Sequence, residues 1–203
     1  RILLDGPERR VELDAAPAWI VGNHAGNGFY RVRLADADLI DLTRRAPEVL
    51  TPIERYGLIE DEWALLLAGD GSVERVLTVL RALSGDDDLS VWRRSIGVLA
   101  ALDRVAGDDV RPALRSWSRA LVAPALRRLG DARTAGEGDR VTALRATLSL
   151  ASVLQGDDRH QLDLARKRFD AAAGGPVDGV DPELADAAVR SVAARADRAT
   201  WDE

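Results

Sequence analysis

The chain has 203 residues, 46% of them hydrophobic and 31% charged, with a net charge of −6. That is enough apolar material for a sizeable core and is unlike a disordered composition. No apolar run reaches the ~18 residues needed to span a bilayer. The basic residues are scattered among acids rather than gathered into a face that could displace phosphate counterions, so membrane and nucleic-acid partners are set aside.

Cysteine is absent, which removes disulfides, thiolate metal sites and a Cys nucleophile. Arg1-Ile2-Leu3-Leu4-Asp5 does not read as a signal peptide, and the expectation is a cytoplasmic protein. Methionine is absent even at position 1, and Lys167 is the only lysine. The first feature reads as an internal piece of a longer chain, the second as the bias of a GC-rich genome.

Three short strands are predicted in the first part of the chain. Arg10-Val11-Glu12-Leu13 alternates, Ala18-Trp19-Ile20-Val21 is a short apolar run after Pro17, and Phe29 to Leu34 follows the turn Asn23-His24-Ala25-Gly26-Asn27-Gly28. Three strands cannot close a sandwich, so residues 1–34 are expected to be the end of a truncated β-domain.

From Asp36 the period changes to about 3.6. Thr51-Pro52-Ile53-Glu54 is a capping box with Pro at the first helical position. It opens a helix to Gly69 whose apolar face is read as Ile53, Tyr56, Ile59, Trp63, Leu66 and Leu67. Ser72 caps a helix to Gly85, Ser90 precedes one running from Val91-Trp92 to Gly107, and Val110 to Leu129 forms another with a kink at Pro124. Asp139 to Gly156, Asp158 to Ala173 and Pro182 to Arg198 complete the series. Helices joined by short Gly/Asp turns read as stacked hairpins, and the uneven spacing of the stop glycines rules out a strict repeat. The fold class expected is mostly α. It is an irregular αα superhelix of HEAT/armadillo-like hairpins over 35–203, preceded by a few strands of a truncated β-sandwich over 1–34.

Chemical constellations are sparse. His24 sits in a turn, where a polar residue needs no further reason. His160 has Asp157 and Asp163 nearby, a pattern typical of a solvated helix entrance. Asp86-Asp87-Asp88 lacks calcium-loop spacing and reads as a loop and N-cap. Glu60-Asp61-Glu62 spreads three acids around one helix, which does not suit paired acid–base work. Trp63, Trp92 and Trp117 fall on the apolar stripes of their helices and are expected in the core.

The segment Asn23-x-x-x-Asn27-Gly28-Phe29-Tyr30-Arg31-Val32 leading into an all-helical run resembles a junction in the zinc aminopeptidase N family. There a small β-sandwich hands over to the C-terminal helical domain. Glu54-Arg55-Tyr56-Gly57-Leu58-Ile59-Glu60-Asp61-Glu62-Trp63 is similar to that domain's next recognisable stretch, and looser matches occur at Leu89–Trp92, Leu121–Gly130 and Val141–Arg145. The resemblance implies a non-catalytic piece of a bacterial peptidase that removes N-terminal residues from peptides. This piece would pack on the catalytic domain and shape the substrate chamber, with further helices beyond Trp201-Asp202-Glu203.

The family's catalytic H-E-x-x-H helix and G-x-M-E-N loop are absent here, since neither histidine is followed by Glu and there is no Met. No cofactor is therefore expected on this chain, zinc belonging to the parent's catalytic domain. The resemblance further implies peptide-facing arginines, with Arg55 and Arg145 as candidates. It implies structural roles for Asn23, Gly28, Phe29, Tyr30, Arg31 and Asp61. A stand-alone αα scaffold that binds a protein or peptide, and a pseudo-enzyme, are the competing readings.

Overall fold

The computed structural model describes residues 6, 8, 10–12, 14, 15, 17–173 and 181–196. Among the described residues, eight α-helices follow a short 3₁₀ turn at His24–Gly26: α1 (Asp36–Val49), α2 (Pro52–Ala68), α3 (Val73–Ala82), α4 (Leu89–Val105), α5 (Arg111–Leu129), α6 (Asp139–Leu154), α7 (Arg159–Ala173) and α8 (Pro182–Ala193). None of the helices among the described residues is long and apolar enough to cross a membrane.

The local signals act as expected at most ends. The capping box at Thr51 forms with Pro52 at the first position, and Gly69 closes α2 in the left-handed conformation (φ +80°), where a Cβ would be strained. Ser72 caps α3 through the Arg75 amide, and Asp181 caps α8 through the Glu183 amide. Helix α4 is capped by Asp88, from the acid cluster read as a loop and N-cap, its carboxylate accepting from the Ser90 and Val91 amides at 2.7 and 3.2 Å. Helix α3 differs, stopping at Ala82, short of Gly85. For α8, Arg198 lies outside the described residues.

The helices pack in two layers. Helices α2, α4, α6 and α8 each touch the next of that set, while α1 and α3 pair on one side and α5 and α7 lean on their neighbours α4, α6 and α8. This is an αα superhelix of stacked hairpins. The core runs along it in three groups. The first contains Leu39, Ile59, Leu80, Leu99 and Leu102, the second Trp92, Val122, Leu126, Leu144 and Leu148, and the third Ala146, Leu184 and Ala187. Trp92 is fully buried with its indole N–H donated to the Asp86 carbonyl at 2.7 Å, whereas Trp63 and Trp117 are partly buried against the first group. Arg81 lies over the Trp117 ring, 5.9 Å from its centre.

The predicted strands are not shown. Residues 10–12, 18–21 and 29–34 are in irregular backbone, and there is no strand among the described residues; Leu13 lies outside them. A strand is a pairing rather than a property of one segment, and aromatic, β-branched composition alone supplies no partner. The apolar face of α2 is as expected at Ile59, which is buried, and at Tyr56, Trp63 and Leu66, which pack partly on the first group. Ile53 and Leu67 are exposed instead, and Glu54, Arg55, Leu58 and Glu62 share the buried face.

Candidate functional site

The buried face of α2 carries three charged residues because each has a partner elsewhere in the fold. Burial of an ionic group is tolerable only when it is paired and hydrogen-bonded. The Arg55 guanidinium donates from Nε and Nη2 to the Asp86 carboxylate at 2.5 and 3.0 Å, and from Nη1 to the Leu50 carbonyl at 2.7 Å. Asp86 also accepts the Asp88 amide at 2.8 Å, and its carbonyl accepts Arg128 at 3.1 Å as well as Trp92. One aspartate thus joins α2, the α3–α4 turn, α4 and α5.

Glu62 receives two bonds from Arg75, both at 2.8 Å, and Arg75 also reaches Asp36 and the Leu34 carbonyl. Arg145 makes the corresponding tie in α6. It is 1% exposed, donates twice to Glu137 at 2.6 Å, and also serves the carbonyls of Leu129 and Gly130. The Arg145 bonds, joined by Thr142, outweigh desolvation and hold the Glu137 carboxyl down at about 2. Arg55 and Arg145, the arginines singled out by the resemblance, therefore both spend their donors inside the domain.

The other resembling residues come together at one place, where the segment 20–34 crosses α2. Asn23 bridges its own loop: its Nδ2 donates to the Gly28 carbonyl at 2.9 Å and its Oδ1 accepts the Gly28 amide at 2.7 Å. The Tyr30 hydroxyl donates to the Gly22 carbonyl at 2.7 Å. A Cβ on Gly28 would run into the Tyr30 ring. Arg31 lies 3.5 Å from Glu60 and 3.6 Å from Asp61, and Arg94 holds Glu60 from α4. Burial raises the Asp61 carboxyl, opposed by the Val32 amide and Arg31.

Glu54 is the focus of this contact. Its carboxylate accepts His24 Nδ1 at 2.8 Å and the Ala25 amide at 2.9 Å from the loop, and the amide and hydroxyl of Thr51, each at 2.8 Å, from its own helix start. Burial would raise this carboxyl, yet the four donors bring it down to about 2. Ala25 sits in the left-handed region (φ 53°) to present its amide, a conformation that costs a non-glycine residue about 1 kcal/mol.

A cleft of about 380 Å³ opens between the segment and α2, with Leu42, Leu50, Leu58 and Ile53 among its walls. Phe29 is fully exposed at its rim, with Trp19, Ile20, Tyr30 and Ile53 also exposed nearby. Sequence reasoning missed the Glu54 focus because its partners lie 29 and 30 residues away. The capping box that identified Glu54 explained only its bonds to Thr51. As for metal, no cluster of three or more His, Cys, Asp or Glu side chains suited to an ion occurs among the described residues.

Residues 19–203 match the model of the ERAP1-like C-terminal domain. The chain belongs to that family. It is 30% identical over 186 residues to the Tricorn protease-interacting factor F2 of Thermoplasma acidophilum, which covers 89% of this chain and 23% of that protein. It is 28% identical over 174 residues to Aminopeptidase M1 of Arabidopsis thaliana, covering 83% and 19%. To the puromycin-sensitive aminopeptidase of Caenorhabditis elegans it is 30% identical over 146 residues, covering 68% and 15%. This ERAP1-like domain therefore spans less than a quarter of the length of these relatives. Its matched region opens at Trp19, one residue before the segment that crosses α2.

Proposed function

We propose that this ERAP1-like domain is the non-catalytic helical part of a zinc-dependent aminopeptidase, a peptidase that removes N-terminal residues from peptides. The observation that carries the reading is the family match over 19–203 together with relatives named as aminopeptidases. Zinc does not fit the residues of this chain. It has two histidines and no cysteine, and His24 is committed to Glu54. The metal and the water it activates belong to the rest of the parent polypeptide.

The domain's part is architectural: it packs on the catalytic domain and walls the substrate chamber. The exposed group Trp19, Ile20, Phe29 and Tyr30 supports packing against another part of the polypeptide, since an apolar patch of this kind marks an interaction surface. Arg55 and Arg145 act in that wall by fixing the spacing of its helices, because their guanidinium groups are already engaged by Asp86 and Glu137. Peptides would meet the wall these arginines support.

The test is hydrolysis of leucine- and alanine-anilides by the complete parent polypeptide, with and without a zinc chelator, the 203-residue chain serving as control. Chelator-sensitive turnover by the parent and none by the control is the expected result. No turnover by a well-folded parent would overturn the reading in favour of a scaffold.

A further inference from the structure

The segment 20–34 is stapled to itself as well as tied to the helices beneath it. Asn23 and Gly28 exchange two hydrogen bonds, Tyr30 closes onto Gly22, and the Tyr30 ring lies over the space that a Cβ on Gly28 would occupy. Its attachments to the stack are of a different kind. Charged and polar bonds run to Glu54, to Glu60 and Asp61, and from Arg75 to the Leu34 carbonyl, and Val21 and Leu34 pack partly on the core. Between these points lies the cleft rather than packed side chains. A body stapled internally, set over a cleft and held to the stack by polar bonds and two partly buried side chains, can open at those attachments as one local unit.

We propose that residues 20–34 form a strap that lifts from α2 as one unit, with Glu54 as the pin that holds it down. Glu54 suits that role because one carboxylate is shared by both bodies: two of its donors belong to the strap and two to the start of α2. The strained Ala25 backbone is held by that same carboxylate, so release of the pin also relieves the strain. Lifting exposes the apolar walls of the cleft, Leu42, Leu50 and Leu58, and swings Phe29 and Tyr30 relative to the helices. The strap is then an adjustable joint between what precedes residue 20 and the helical stack. Neither the catalytic reading nor the family match is needed for it.

The test is residue-resolved amide exchange on the full chain and its Glu54→Gln variant, which keeps the side chain's shape but cannot accept all four bonds. Three amides separate the outcomes. Ala25 donates to Glu54, Val32 faces Asp61, and Gly28 donates to Asn23 inside the strap. Exchange about tenfold faster at Ala25 and Val32 together, with Gly28 and the amides of α3 and α4 unchanged, is expected. Faster exchange at Gly28 as well would mean that the strap melts rather than lifts. Acceleration at Ala25 alone would mean that no unit moves. A rise across α3 and α4 would make Glu54 a support of the whole stack. Each of these three outcomes overturns the proposal. If Glu54→Gln does not fold, His24→Ala, which removes one of the four donors, supplies the same comparison.

Discussion

At the scale of single residues, the decisive groups are charged and buried. Arg55 and Asp86 are 8% and 9% exposed and bonded to each other twice. Removing one partner strands the other's charge, at a cost of about 3–5 kcal/mol. Arg55→Ala should lower the unfolding free energy by that amount in urea titrations, and a loss below about 1 kcal/mol would show that water reaches Asp86.

Glu54 and Glu137 add a pH dependence. Both carboxyls are held at about 2 in the fold against an ordinary 4.5. A depressed carboxyl stabilises the folded state fully above its unfolded value and loses that contribution as pH falls through the folded one. The urea midpoint should therefore decline between pH 4.5 and 2, and the decline should be shallower in Glu54→Gln. An unchanged slope in the variant would assign the acid loss to other groups.

At the scale of elements, caps and stops were legible in the sequence because they are local. Thr51 with Glu54, Ser72, Gly69 and Asp181 each act within four residues of where they stand. What stayed hidden depends on contacts made by the finished fold. The partners of Arg55 and of His24 lie 31 and 30 residues away. Nothing in the 3.6-residue period says that a helix face reading Glu54, Arg55, Leu58, Ile59 and Glu62 should be the buried one. The aromatic run Phe29-Tyr30 carried a strand's composition without a strand's partner.

The corner between α6 and α7 offers a further test. A Cβ on Gly156 would lie 2.5 Å from the Ser152 carbonyl oxygen and 3.2 Å from the Cα of Arg119. Arg119 in turn donates to the Gly156 carbonyl at 2.6 Å. Both obstacles are backbone, so no rotamer change relieves them. Gly156→Ala should cost about 1–3 kcal/mol and lower the melting temperature. A neutral result would mean that α5 can shift away from the corner.

At the scale of the molecule, the core comes in three groups along the stack rather than as one centre. In stacked architectures each unit depends chiefly on its neighbours, so stability is distributed. Leu184 is 4% exposed in the last group. Leu184→Ala should speed amide exchange in α7 and α8 while leaving α2 and α3 protected as before. Equal acceleration throughout would show a single cooperative unit instead.

The layer of α2, α4, α6 and α8 has a consequence of its own. Each member rests on the one before it, so angular changes add along the series as in a lever arm. With helix axes about 8–10 Å apart, α8 stands roughly 20 Å beyond α4. A turn of about 5° where α6 meets α4 would carry α8 ~2 Å sideways. Asp86 and Arg145, which lock the neighbouring turns, then govern the reach of the far end as much as the strength of the near one.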